Sequence, residues 1–185
     1  MGEFRSERRV TKPILVFNST PLIYLAKAKI ANELSKTSFR LITTQKVYQE
    51  VVIKGVEKQV EEIDELKSLF DSNIIEVIEH VDEEIVKKLV KSGIHHGEAT
   101  VIALAHELDA TAIMDDRRAR YVAETFGIKL SGTPHLIIHL IKQGLITKHE
   151  AKKALDKMVG EGWYCSAKNY SKIIELIEKS ISFTS

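Results

Sequence analysis

The sequence contains only one cysteine, Cys165, among 185 residues. A single cysteine excludes an internal disulfide framework and a cysteine-rich zinc site, and it fits a reducing compartment. The chain also lacks any apolar run of membrane-spanning length, and the segment from Met1 to Pro13 lacks an apolar signal sequence. We therefore expect a cytoplasmic protein without a membrane partner.

The sequence has no marked excess of charge of either sign. Its 27 Lys and Arg residues and 26 Asp and Glu residues give a formal net charge of +1. Because this balance provides no global attraction to a polyanion, any nucleic-acid binding would depend on a local basic patch. Repeats, low-complexity segments and linkers are also missing, and the length suits one domain with a sizeable core.

Short apolar runs alternate with amphipathic segments along the chain, which predicts strands separated by helices. Strands are predicted at 14–17, 39–43, 74–78, 111–114 and 128–130, with a further short strand at 163–165. Helices are predicted to start after 20 and at 44, 56, 82, 97, 117, 133, 147 and 169, and Gly55 is predicted to be a break. This alternation predicts a three-layer α/β/α domain with a central parallel sheet of about five strands.

The predicted organisation has three parts. Residues 1–12 form an N-terminal tail, residues 13–145 form the α/β domain, and residues 146–185 form a C-terminal helical extension packed on that domain.

Four acidic or near-acidic positions fall where a parallel sheet would gather them. Asn18 follows the first strand, Glu50 lies on the helix after the second, Glu98 starts a helix, and Asp116 follows the fourth strand. Open α/β sheets bind ligands beyond the carboxyl ends of their strands, and Mg²⁺ and Mn²⁺ prefer oxygen ligands. The set therefore predicts a divalent-metal site that activates a water molecule and holds a phosphate. Glu57 and Glu61 are alternatives to Glu50.

Other polar residues next to these positions are candidates for metal or substrate binding. Asp115 would join Glu98, Asp116 and Asn18 as a metal ligand only if the chain has already turned there, because adjacent strand residues point to opposite faces. Candidates for substrate binding are Ser19, Thr20, Arg117, Arg118 and Arg120. Arginine suits phosphate, although a solvated helix face is an equal alternative, and the two hydroxyl groups are equally suited to capping a helix.

These motifs together resemble those of the PIN domain, the nuclease fold of VapC-type toxins, and particularly a prokaryotic branch of that family. The segments that carry the resemblance are Ser19–Ile23, Gly97–Ala99 with Ala103–Ala105, Asp115–Arg120 and Ser131–Thr133. The resemblance implies a metal-dependent endoribonuclease that cleaves single-stranded RNA, with Mg²⁺ or Mn²⁺ as cofactor. The implied catalytic positions are Asn18, Glu50, Glu98 and Asp116. A toxin role, an antitoxin protein partner and a homodimer are further implications.

One of these positions departs from the family pattern. The family usually has an aspartate where this chain has Asn18, whose amide oxygen can ligate a metal but contributes no charge. A second hypothesis is therefore a catalytically decayed PIN-fold module that binds nucleic acid or protein. A third is a phosphatase that uses a strand-end aspartate as nucleophile, although Asn18 argues against it.

Overall fold

The structure of the chain is a computed structural model that describes residues 12–181. The predicted N-terminal tail lies outside the described residues except for Lys12. Five strands form one parallel sheet in the order β3-β2-β1-β4-β5. Their bounds are β1 Ile14–Phe17, β2 Arg40–Thr44, β3 Ile75–Ile78, β4 Thr111–Ile113 and β5 Lys129–Ser131. The predicted parallel sheet of about five strands is confirmed.

Ten α-helices surround this sheet in the described part of the chain. They are α1 Ser19–Lys27, α2 Gln45–Tyr48, α3 Lys54–Lys58, α4 Ile63–Asp71, α5 Glu83–Lys91, α6 His96–Glu107, α7 Arg117–Thr125, α8 Thr133–Lys142, α9 Lys148–Gly160 and α10 Ala167–Lys179. A 3₁₀ helix spans Ala31–Lys36, and a π-helical segment, Gln49–Ile53, joins α2 to α3.

The helices cover both faces of the sheet because the chain crosses it in two directions. The connections from β1 to β2 and β3 move one way from the central strand, and those from β3 to β4 and β5 move back. Since parallel crossovers are right-handed, the helices of the two sets lie on opposite faces. Accordingly, α1 contacts α4 in one layer, whereas α6 contacts α5 and α7 in the other. The three-layer α/β/α architecture is confirmed.

The layers meet at strands and helices whose side chains suit close packing. Val16 and Phe17 of β1 are fully buried, as expected for a central strand that is covered on both faces. Helix α6 packs on β1, β2 and β4, and every residue from Ala99 to Ala105 is buried. The helices after residue 145 share the same core, because α9 packs on α1 and contacts both α8 and α10.

Two predictions of local structure were wrong. Gly55 does not break a helix but lies buried inside α3, and an added Cβ would be 2.8 Å from Ile63 Cδ1. This glycine therefore permits the close approach of α4, and the helix instead ends at Gln59, which has a left-handed φ of 50°. Residues 163–165 form no strand, because Trp163 is held by a side-chain hydrogen bond rather than by a ladder.

Within residues 12–181, the helices are all too short or too polar to cross a bilayer.

Candidate functional site

The candidate site lies at the carboxyl ends of β1 and β4, where the direction of strand addition reverses. The Asn18 N–H donates to Ile113 O at 3.0 Å, so the pairing of β1 with β4 continues to the last residue before α1. Ligands of open α/β sheets bind in the crevice that opens at such a reversal.

Asn18 and Ser19 form the β1 side of the site. Asn18 is 4% exposed, and its Oδ1 accepts the Ser19 N–H at 2.9 Å, which caps α1. The Ser19 hydroxyl donates to Glu50 Oε2 at 3.3 Å. Asn18 is therefore engaged as a helix cap, and Ser19 connects the end of β1 to the first acid of the site.

Glu50 is brought to the site by the π-helical segment and by the absence of a side chain at Gly97. A Cβ built on Gly97 would lie 2.9 Å from Glu50 Oε1 and 3.1 Å from Oε2. The Glu50 carboxylate thus lies against Gly97 in the first turn of α6, and Gly97 directly precedes Glu98 in the sequence. Of the acids considered for this position, Glu50 is the one that contacts Ser19.

Glu98 occupies the first turn of α6, where its Oε2 accepts the His95 N–H at 3.1 Å. Burial is the main cause that raises the pKa of the Glu98 carboxyl above its ordinary value. The negative charges of Asp116 and Glu50 raise this pKa further, and the hydrogen bond from His95 opposes the rise. The structure therefore places Glu98 within electrostatic range of both other acids.

Asp116 is the N-cap of α7, and its Oδ1 accepts the N–H groups of Arg118 and Ala119 at 2.9 Å each. Its side chain thereby holds the helix that follows β4 and faces the same region as Glu98. Within residues 12–181, neither Asp116 nor Glu50 nor Glu98 forms an ion pair with a basic side chain. We refer to Glu50, Glu98 and Asp116 as the acidic site.

Asp115 has a different environment from its neighbour. Its Oδ1 accepts the Thr133 N–H at 2.8 Å, and its Oδ2 accepts the Thr133 hydroxyl at 2.6 Å and the Trp163 Nε1–H at 3.0 Å. These three hydrogen bonds join the end of β4 to the start of α8 and to the segment before α10. The sequence pattern placed Trp163 only in a predicted short strand, and its being the single tryptophan is the one signal that could have singled it out.

The three arginines of α7 point to three different surroundings. Arg117 lies 5.7 Å from the Tyr164 ring centroid. Arg118 covers Gly93 in the turn before α6, where a Cβ would be 2.2 Å from its guanidinium. Arg120 donates to Met114 O and Ser131 O at 3.0 Å each, so it holds β4 and β5 together. Of the substrate-binding candidates, Thr20, Arg117 and Arg120 line the cavity beside Asp116.

The donor chemistry of the acidic site fits a hard divalent cation. Three carboxylates, the Ser19 hydroxyl and the Asn18 amide supply only oxygen, the donor type that Mg²⁺ and Mn²⁺ prefer. The negative charges of Asp116 and Glu50 disfavour the charged form of Glu98, and a dication would relieve this repulsion. In the arrangement described for residues 12–181, no three acidic, His or Cys side chains are close enough to enclose an ion. Binding would therefore require the acids to approach one another.

The PIN domain is a nuclease-type fold, and the parallel α/β architecture described above is consistent with it. The chain belongs to the PIN-domain family, because the family model DUF3368, described as a PIN domain, matches residues 14–179. PIN domains generally use divalent metal ions. The match extends through α9 and α10 and so includes the helices after residue 145. No curated protein shows significant sequence similarity to the chain.

Proposed function

We propose that the chain is a metal-dependent endoribonuclease that cleaves single-stranded RNA, with Mg²⁺ or Mn²⁺ held by Glu98, Asp116 and Glu50. The observation that carries this proposal is that Glu98 lies within electrostatic range of both Glu50 and Asp116, at the reversal of strand order, and that none of the three forms an ion pair within residues 12–181. A bound ion would polarise the scissile phosphate and lower the pKa of a water molecule.

The residues of the chain have separate roles in this proposal. Glu98 and Asp116 are the principal ligands, because Glu98 is partly buried and lies within range of the Asp116 charge. Glu50 completes the acidic site, and the Ser19 hydroxyl, which donates to Glu50, keeps that carboxylate oriented. Arg117 follows Asp116 in sequence and lines the adjoining cavity, where its guanidinium binds a phosphate of the strand.

Calorimetric titration with Mn²⁺ and cleavage of an unstructured fluorogenic RNA test this proposal. The chain should bind Mn²⁺ and cleave the RNA, and Glu98→Gln should lose both properties while it keeps its thermal stability. Glu61→Gln is the matched control, because Glu61 is an exposed acid outside the acidic site. Absence of Mn²⁺ binding, or equal binding by Glu98→Gln, would contradict the proposal.

A specific observation favours a second candidate function, a PIN-fold binding module that does not cleave. Asn18 is neutral and buried, and it already uses its Oδ1 to cap α1. Aspartate caps a helix as well as asparagine does, so Asn18→Asp should preserve the fold while it adds a fourth carboxylate. If RNA cleavage appears only in Asn18→Asp, the natural chain is a binding module; if the natural chain cleaves, it is a nuclease.

A toxin role with an antitoxin protein partner, and assembly as a homodimer, belong to the same proposal. Ile53 and Val56 support a protein partner, because they are 45% and 50% exposed on the helical stretch that carries Glu50. Light scattering coupled to size-exclusion chromatography tests the homodimer: a mass of about twice 20.9 kDa is expected, and a monomeric mass would contradict it.

A further inference from the structure

A cavity of about 770 Å³ opens beside Asp116, between α7 and the C-terminal segment that includes α10. Ligand pockets of proteins commonly measure roughly 300–1,000 Å³, so this cavity has room for one nucleotide. Asp116 and Thr20 also line it, which makes it continuous with the acidic site. Its far wall is formed by the residues from Gly162 onward.

Two cations from different elements face this cavity. Arg117 comes from α7 and Lys172 from α10, and both side chains are exposed. Within residues 12–181, neither of them forms an ion pair. Arg120 also lines the cavity, but two main-chain carbonyl groups already accept its hydrogen bonds. Arg117 and Lys172 therefore have charge available for an anionic ligand.

The two neighbouring aromatic residues of the C-terminal segment differ in exposure. Trp163 is buried and fixed by its hydrogen bond to Asp115, whereas Tyr164 is 78% exposed, with the Arg117 guanidinium 5.7 Å from its ring centroid. Because the guanidinium lies over one face of this exposed ring, the opposite face is a platform on which an unpaired base can stack. A base inside a duplex has no free face to offer such a ring.

We propose that this cavity holds one unpaired nucleotide of a single-stranded nucleic acid, adjacent to the phosphate at the acidic site. The base stacks on Tyr164, and Arg117 and Lys172 contact the flanking phosphates. This inference rests on the proposed function only in assuming that a strand passes the acidic site. It assigns a substrate-binding role to the helices after residue 145, through Tyr164 and Lys172.

Fluorescence anisotropy with a labelled ten-residue oligouridylate, in EDTA so that no cleavage occurs, tests this assignment. Tyr164→Ala should weaken binding at least about fivefold, since stacking contributes roughly 1–3 kcal/mol per base, and Tyr164→Phe should bind as the natural chain does. Lys172→Ala should reduce the slope of log K against log salt concentration by about 0.7. Lys179→Ala is the matched control on the same helix and should leave affinity and slope unchanged. All three side chains are exposed, so the variants should fold.

Several outcomes would overturn the inference. Unchanged RNA binding by both Tyr164→Ala and Lys172→Ala would exclude the cavity as a nucleotide site. A loss of affinity in Tyr164→Phe as large as that in Tyr164→Ala would exclude stacking on the ring. Displacement of the oligomer by uridine monophosphate at equal concentration would identify a free nucleotide as the occupant.

Cleavage assays in Mn²⁺ separate this inference from the proposed function. If the two variants lose RNA binding and the natural chain does not cleave RNA, the nucleotide site in the cavity is supported and the nuclease function is contradicted. If the natural chain cleaves RNA, and Tyr164→Ala and Lys172→Ala cleave it with the same KM as the natural chain, the nuclease function is supported and the nucleotide site in the cavity is overturned.

Discussion

Asp115 and Asp116 are adjacent in sequence but differ in what their carboxylates contact. Asp115 accepts three hydrogen bonds from Thr133 and Trp163, all directed toward the C-terminal helices. Asp116 caps α7 and lies within electrostatic range of Glu98. The comparison shows that a pair of acids at a strand end can divide between two tasks. One stabilises the fold, and the other remains available to a cation.

The first expected effect is on metal affinity. Asp116→Asn should weaken Mn²⁺ binding at least about tenfold, because even residues that only support metal ligands are commonly worth about 10–100-fold. Asparagine is an equally good N-cap, so α7 and the thermal stability should be preserved. Asp115→Asn is the matched control and should bind Mn²⁺ as the natural chain does. If calorimetry finds the same loss of Mn²⁺ affinity in Asp115→Asn as in Asp116→Asn, both aspartates contribute to metal binding.

The second effect is on stability. Asp115→Ala removes three hydrogen bonds to a carboxylate and leaves the Trp163 and Thr133 N–H groups without their acceptor. We expect the free energy of unfolding to fall by about 3 kcal/mol. Urea denaturation measures this loss. Asp71→Ala, at an exposed site, should change it by less than about 0.5 kcal/mol. A comparably small change in Asp115→Ala would contradict the structural role.

A smaller loss of stability is expected from Trp163→Phe, which keeps an aromatic ring but removes one N–H donor. The expected loss is about 1–2 kcal/mol. Combined with Asp115→Ala in a double-mutant cycle, the two changes should show a coupling energy of at least about 0.5 kcal/mol, because each of them removes the hydrogen bond between Trp163 and Asp115. Strict additivity of the two losses in urea denaturation would show that this hydrogen bond contributes nothing.

Gly97→Ala should cause the smallest change in stability, and it should also weaken metal binding. Gly97→Ala places a Cβ where the Glu50 carboxylate lies, and that flexible side chain can move away. Alanine also favours the helix, so stability should rise by about 0.5 kcal/mol or stay unchanged while Mn²⁺ affinity falls. Gly160→Ala is the matched control, because its Cβ would meet nothing within 4 Å. Unchanged Mn²⁺ affinity in Gly97→Ala would contradict the position of Glu50.

The strands were predictable because a sheet covered on both faces leaves short apolar runs in the sequence, as at Ile14–Phe17. The end of α3 could not be predicted, because the helix stops at Gln59, whose left-handed conformation is not indicated by its residue type. The positions of Glu98 and Asp116 follow from helix starts and strand ends. The partners of Asp115 could not be predicted, because Thr133 and Trp163 are 18 and 48 residues away in sequence.

The widened turn at Gln49–Ile53 has a consequence for the whole helical stretch from Gln45 to Lys58. A π-type turn holds about one residue more than an α-helical turn, so the faces before and after it are offset by about 100° around the helix axis. If this turn closed to an α-helical one without losing a residue, everything beyond it would rotate by about 100°, whereas deletion of one residue would restore an uninterrupted α-helix and leave the faces beyond it unchanged. The direction in which Glu50 points therefore depends on how many residues form this turn as much as on which residues they are.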